Sequence, residues 1–266
     1  MRLSVVIPAH NEEGCIRSTV DQLATRLSQE GLEYEVVVVN DNSTDGTENI
    51  LKELTKQHPA VRYVNNQPPH GFGFAVRRGL ECFVGDAVAV YMADASDSPE
   101  DLINFYHKLA EGYDCVFGTR WSGGGLVFDY PWPKRFLNRM ANRFIQLIMQ
   151  IRYDDVTNAF KLYRREVIQG CQPILAYHYN LTVELPLKAI VRGYSYAVVP
   201  NTWHNRRTGQ SKLRIKEMGS RYLFIVLYCF LEKWLSRHDY HRTTKNVEAI
   251  CTPAEPLVIQ PMNEES

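Results

Sequence analysis

Leu3-Ser4-Val5-Val6-Ile7-Pro8-Ala9-His10-Asn11-Glu12-Glu13 and Glu35-Val36-Val37-Val38-Val39-Asn40-Asp41-Asn42-Ser43-Thr44-Asp45-Gly46-Thr47 are the stretches that decide the fold. Each is a β-branched apolar run that stops abruptly in polar residues and gives way to a helical pattern. Runs of this kind, ended by turn residues, read as strands buried on both faces of a parallel sheet. Their polar ends then share the carboxyl edge of the sheet, where open α/β sheets bind ligands. Asp41 at that edge can accept hydrogen bonds from a base or a ribose.

Outward from these runs the alternation continues. Ile16, Val20, Leu23 and Leu27 recur at helical spacing, with Glu12 and Glu13 placed where negative charge suits a helix start. A helix is expected from about Thr47 to Gln57, a short strand from Val61 to Val64, and a helix opened by Gly71-Phe72-Gly73-Phe74-Ala75 and running past Gly79. Then come a strand from Ala87 to Met92, a helix carrying Leu102, Phe105 and Leu109, and a fifth strand from Cys115 to Gly118. This βαβ series predicts an α/β fold: a twisted, mainly parallel sheet with helices on both faces.

From Gly118 the pattern changes. Gly123-Gly124-Gly125 and Pro131-Trp132-Pro133 are loop signals, and a long amphipathic helix follows with Phe136, Met140, Phe144, Leu147 and Ile151 on one stripe. Thr182 to Val191 reads as helix interrupted by Pro186, Tyr194 to Pro200 as strand, and Lys216 to Leu235 as a last helix. Beyond Tyr240 there is no period, and Pro253, Pro256 and Pro261 favour a disordered tail. The expected organisation is one domain over 1–213, a C-terminal helix over 214–238 and a tail over 239–266.

The 266 residues, 45% of them hydrophobic, suit one large α/β domain with a full core. Thirty basic and thirty acidic residues cancel, so no global field favours nucleic acid. Cys15, Cys82, Cys115, Cys171, Cys229 and Cys251 form no Cys-x-x-Cys pair and read as reduced thiols, several of them within apolar patterns. Met1 leads almost directly into a strand with no signal-peptide pattern, which predicts a cytoplasmic location.

The paired strand ends resemble the family 2 glycosyltransferases, whose GT-A fold binds nucleotide-sugar donors. The family's Pro-x-x-Asn-Glu appears as Pro8-Ala9-His10-Asn11-Glu12, and its Asp-Asp-x-Ser-x-Asp-Gly-Thr as Asn40-Asp41-Asn42-Ser43-Thr44-Asp45-Gly46-Thr47. Asn40 departs from the pattern; Asp41, the position used against the nucleobase, is kept. The resemblance implies a donor site built from Pro8, Ala9, Glu12, Asp41, Gly71 and Asp94. Gly71-x-Gly73 with Gly79 is weak alone and equally suits close packing of a helix on the sheet.

In Met92-Ala93-Asp94-Ala95-Ser96-Asp97-Ser98-Pro99 the family's Asp-x-Asp positions carry Ala93 and Ala95, and the acids are displaced to Asp94 and Asp97. The resemblance implies that this pair holds Mg²⁺ or Mn²⁺ against the leaving diphosphate. The same residues also suit a helix cap ahead of Pro99. Gly118-Thr119-Arg120 resembles a Gly-Ser-Arg whose arginine reaches a phosphate. Arg135 and Arg139 share a helix face that either binds two phosphates or is a solvated basic surface.

Asp154 to Arg164 matches Asp-x-Thr-x-x-Phe-x-x-Tyr-Arg, and Arg206-Arg207-Thr208-Gly209-Gln210-Ser211-Lys212 matches Arg-x-x-Gly-x-Ser-Lys of the dolichol-phosphate-mannose synthase-like branch. That branch implies an inverting transfer to a polyprenyl phosphate, with Arg206 and Lys212 on the acceptor phosphate and Asp94, Asp97 and Arg120 at the reacting diphosphate. A saccharide hydroxyl acceptor would instead need a general base, for which Glu184 and Asp155 are the first carboxylates to test. A nucleotide-sugar-binding protein without catalysis is the remaining alternative. The apolar run Tyr222 to Leu231 covers only ~15 Å as helix and cannot span a bilayer. Flanked by Arg221, Lys233, Trp234 and Arg237, it either lies at a membrane interface, as a lipid acceptor favours, or is buried against the domain.

Overall fold

The computed structural model describes residues 1–205, 215–236 and 239–240, without the side chains of 215–218. In chain order the first half is β1 (Leu3–Ala9), α1 (Ile16–Gln29), β2 (Tyr34–Asn40), α2 (Thr47–Gln57), β3 (Val61–Asn65), α3 (Phe72–Cys82), β4 (Ala87–Val90), α4 (Pro99–Ala110) and β5 (Cys115–Thr119). The second half is β6 (Leu126–Phe128), α5 (Trp132–Met149), β7 (Lys161–Arg164), α6 (Arg165–Gly170), α7 (Leu181–Val191), β8 (Tyr196–Pro200), β9 (Thr202–His204) and α8 (Ile215–Leu235).

Seven strands form one sheet in the order β3-β2-β1-β4-β7-β5-β8. All neighbours are parallel except β7, which runs antiparallel between β4 and β5. The valine runs are buried on both faces as expected: Val6, Val37 and Val39 enter one core cluster, and Val5, Ile7, Val36 and Val38 the other. Helix α3 lies so close to β1 that a Cβ on Gly79 would stand 2.2 Å from Val6 Cγ1, so this glycine serves packing. Helix α4 is capped by Ser98, which accepts from Glu100 N at 3.2 Å, with Pro99 in the first turn.

Three features differ from the expectation or were absent from it. Strand β7 has no apolar run to announce it, because Lys161 and Arg164 bracket only Leu162 and Tyr163. Strands β6 and β9 pair with each other as a separate two-stranded sheet beside the carboxyl edge. The stripe on α5 faces outward: Phe136, Met140, Phe144 and Leu147 are exposed, the last at 78%, while Asn142, Ile145 and Met149 point inward. Asn142 and Asn138 anchor this helix by donating to Thr157 Oγ1 at 3.0 and 2.8 Å.

Helix α8 is buried against the domain on one face and exposed on the other. Ile225, Val226, Cys229 and Glu232 are buried against the domain, and Leu223, Phe224, Leu227, Leu231 and Trp234 are exposed. Its inner face is pinned by the buried Arg192, which reaches both Glu232 oxygens at 2.7 and 3.0 Å, and by Lys233 Nζ on Met149 O at 2.5 Å. Among the described residues no helix is long and apolar enough to cross a membrane. The described cysteines are free thiols; Cys115, Cys171 and Cys229 are buried and Cys15 and Cys82 partly so.

Candidate active site

The loops after β1 and β2 are stitched together at the carboxyl edge. Asn11 Oδ1 accepts from Thr44 N at 2.8 Å, Glu12 N donates to Thr47 Oγ1 at 2.9 Å, and the Glu13 carboxylate accepts from Gly46 N at 2.6 Å. Ala9 is buried, its carbonyl taking Asp41 N at 2.8 Å, and Pro8 is half-buried beside it. Asp41 is 4% exposed, and its carboxylate is already a hub. Oδ1 accepts from Asn66 Nδ2 at 2.8 Å and His70 Nδ1 at 3.1 Å, and Oδ2 from Gly71 N at 2.7 Å. Its backbone oxygen faces His10 Nδ1 at 2.6 Å. The loop after β3 is thereby folded over the end of β2, with Gly71 at φ +138° opening α3.

The second bank lies beyond β4. Asp94 Oδ1 accepts from Ser96 N at 3.2 Å, and Tyr91 donates its hydroxyl to the Asp97 carbonyl at 2.5 Å. Ala95 between them has φ +55°. The Asp97 side chain is buried, and its Oδ2 has no hydrogen-bond partner. Burial, reinforced by the neighbouring Asp94, pushes its carboxyl up to about 7. An orphaned buried carboxylate oxygen beside a second carboxylate is a donor set that Mg²⁺ or Mn²⁺ fits. Among the described residues no group of three or more His, Cys, Asp or Glu converges on one point, so the remaining ligands would be diphosphate oxygens and water.

The third bank follows β5. Arg120 is buried and clasped by Asp155, with Nε–Oδ2 and Nη2–Oδ1 both at 2.8 Å and its backbone N on Oδ2 at 3.0 Å. Asp155 holds the guanidinium well above its ordinary range despite burial. Arg120, Arg135 and Arg139 all stand within 5.5 Å of the Trp121 ring. Arg139 is 4.0 Å from Asp154, whose Oδ1 accepts from Thr119 Oγ1 at 2.7 Å. A cavity of about 410 Å³ opens here. Arg120 and Lys134 stand in its wall, and Leu137, Phe144, Tyr222 and Leu223 make it largely apolar.

Neither carboxylate considered as a general base is available for that work. Asp155 is consumed by Arg120, and Glu184 is fully buried, paired with Lys188 at 2.6 Å and accepting from Leu175 N and Ala176 N at 2.7 and 2.6 Å. Arg206 and Lys212 lie outside the described residues. Two residues of the site were not singled out in advance. His70 shows in sequence only as the residue before Gly71. Lys161, within the Asp154–Arg164 motif, buries its ammonium against the carbonyls of Val156, Asn158 and Thr182 and so ties the loop carrying Asp155 to α7.

Comparison with known proteins gives the family and the fold. Residues 4–171 match the family model for glycosyl transferase family 2. The chain is 30% identical over 218 residues to a polyprenol monophosphomannose synthase of Mycolicibacterium smegmatis, covering 80% of this chain and 81% of that one. It is 32% identical over 224 residues to a dolichol-phosphate mannosyltransferase of Pyrococcus furiosus, covering 81% of this chain but 60% of that longer protein. In structure it is similar to the glucosyl-3-phosphoglycerate synthase of Mycobacterium tuberculosis crystallised with Mn²⁺, UDP and glucosyl-3-phosphoglycerate. That match has a TM-score of 0.64 at 20% identity, over 87% of this chain and 79% of that one, and carries the fold.

Proposed function

The chain belongs to glycosyl transferase family 2, and on that premise we propose that it moves a sugar from a nucleoside-diphosphate sugar to a polyprenyl phosphate, inverting the anomeric centre. The observation that carries the acceptor is the cavity beside Arg120: apolar walls for an isoprenoid chain and two cations, Arg120 and Lys134, for its phosphate. That Asp155 is paired with Arg120 and Glu184 with Lys188 supports the same reading. A phosphate acceptor is already an anion and needs no general base, whereas a saccharide hydroxyl would.

In this reading Asp41 orders the base pocket, with Pro8, Ala9, Glu12 and Gly71 around it. Asp94 and Asp97 hold a divalent cation, which when bound neutralises charge on the leaving diphosphate. Arg120, oriented by Asp155, supplies a fixed positive charge on the opposite bank, and Arg206 and Lys212 complete the acceptor phosphate site. The exposed faces of α5 and α8 (Trp132, Phe136, Phe144, Leu147, Phe224, Leu231 and Trp234 among them) form the peripheral membrane contact that a lipid substrate calls for. The test is transfer from a panel of labelled nucleotide sugars to short-chain polyprenyl phosphate with Mg²⁺ or Mn²⁺. Labelled polyprenyl-phosphate sugar is expected, and free polyprenol should be inert. A donor-competent enzyme that ignores the lipid and glycosylates a saccharide hydroxyl would overturn the acceptor assignment.

A further inference from the structure

We propose that the side of α8 turned away from the acceptor cavity holds the headgroup of a phospholipid that carries a hydrogen-bond donor at its far end, phosphatidylethanolamine; the inference deepens the membrane contact proposed above and rests on it. Helix α8 has a hollow on each of two opposite sides over residues 219–226. Gly219, Tyr222, Leu223 and Val226 face the cavity beside Arg120. Ser220, Arg221 and Phe224 face a second, open hollow of about 410 Å³, bounded on its other side by the turn into α7 with Tyr177 and Asn180. The two hollows have no wall residue in common.

Two groups in the second hollow call for opposite partners. Arg221 is exposed, and among the described residues its guanidinium has no ion-pair partner. Asn180 is 5% exposed. Its Nδ2 reaches Arg221 O at 3.5 Å, so the amide points into the gap between the start of α7 and this turn of α8. Its Oδ1, on the same carbon, has no hydrogen-bond partner. Asn180 stands at the N-cap of α7, yet its side chain caps nothing, so the helix does not account for the amide. A buried acceptor without a partner calls for a donor, and an exposed guanidinium binds phosphate well. A ligand that meets both carries a phosphate and, a few atoms away, an N–H or O–H group.

The setting is that of a lipid. Tyr177 and Phe224 in the wall of the hollow are exposed, and Leu223, Leu227 and Leu231 continue the exposed apolar face along α8. A cation beside such a face sits at the level of lipid phosphates. In phosphatidylethanolamine the phosphodiester meets Arg221 and the ammonium donates to Asn180 Oδ1. Phosphatidylcholine has the same net charge and the same phosphodiester, but its quaternary nitrogen bears no hydrogen and leaves that oxygen without a partner. The site thus separates two headgroups that surface charge alone treats alike.

The experiment is sedimentation of the full chain with vesicles of phosphatidylcholine alone and with vesicles of an equal mixture of phosphatidylcholine and phosphatidylethanolamine. The wild type should partition about fivefold more strongly onto the mixed vesicles, the size of one net hydrogen bond. Asn180→Leu keeps the volume and removes the acceptor; it should bring the ratio to within about twofold and leave binding to phosphatidylcholine alone unchanged. Arg221→Ala should lower the ratio in the same way, and as a surface change it decides the matter should Asn180→Leu fold poorly. Equal binding of the wild type to both vesicles overturns the site. A preference that survives these substitutions reports lipid packing only and overturns it too. A wild type that binds neither vesicle would instead overturn the membrane contact on which the inference stands.

Discussion

Asp41 directly follows β2 and Asp97 lies in the loop between β4 and α4; both are buried, yet their surroundings are opposite. Asp41 receives three donors from its own chain; one oxygen of Asp97 receives none. Asp155 and Glu184 belong with Asp41, each saturated by a buried cation or by backbone N–H groups. The difference separates carboxylates that the chain itself saturates from one with an oxygen left without a partner. Removing the first kind leaves a buried charge or donor stranded, at a cost to the fold. On the proposed reading, removing the second costs function and relieves the fold.

The sharpest way to break this division is to cut a saturated carboxylate. Glu184→Ala strands Lys188, which is 0% exposed, and should cost about 3–5 kcal/mol of stability, read as a lowered denaturation midpoint. A loss under about 1 kcal/mol would place Glu184 with the functional acids instead.

Asp97→Asn should do the reverse. Transfer should fall on the order of a hundredfold at saturating metal, while thermal stability holds or rises. The same group gives a pH signature in metal-free protein. Its folded-state value of about 7 lies above the ordinary carboxylate range, so between about pH 4 and 7 the folded protein binds more protons than the unfolded one. Stability contributed by Asp97 is therefore present at low pH and lost as pH rises through 7, by roughly 4 kcal/mol at most. Asn at this position should flatten that part of a melting-temperature profile, between about pH 4 and 7. A profile identical in wild type and variant would show that Asp97 is satisfied after all.

The smallest effect on the fold is expected outside both groups. Leu147→Glu, on the exposed stripe of α5, should leave stability within about 0.5 kcal/mol and weaken sedimentation with anionic lipid vesicles. A destabilised Leu147→Glu protein would mean that the stripe is covered by the chain itself.

How far this division could be read in advance differs along the chain. The valine runs of β1 and β2 announce themselves, because a strand buried on both faces must be apolar at every position. The motif acids could be named, but not sorted: Asp41, Asp97 and Asp155 look alike in sequence, and only the donors around them tell saturated from orphaned. Those donors come from distant segments, His70 to Asp41 and Arg120 to Asp155, so no local pattern carries them. Strand β7 was hidden because its buried Lys161 mimics a surface residue until three carbonyls close on its ammonium. The α5 stripe was visible as a period, but periodicity gives a face and not its direction. There the inward side is set by Asn138 and Asn142 bonding to Thr157.

The antiparallel strand β7 also sets a distance. Adjacent strands lie about 4.8 Å apart, so inserting one between β4 and β5 puts the ends of those strands roughly 10 Å from each other. The acid beyond β4 and the guanidinium beyond β5 thus stand on opposite sides of that strand, and Arg120 is paired with Asp155. The spacer keeps the two banks apart as piers keep a channel open: what enters meets a carboxylate oxygen without a partner on one side and a guanidinium already held in place on the other.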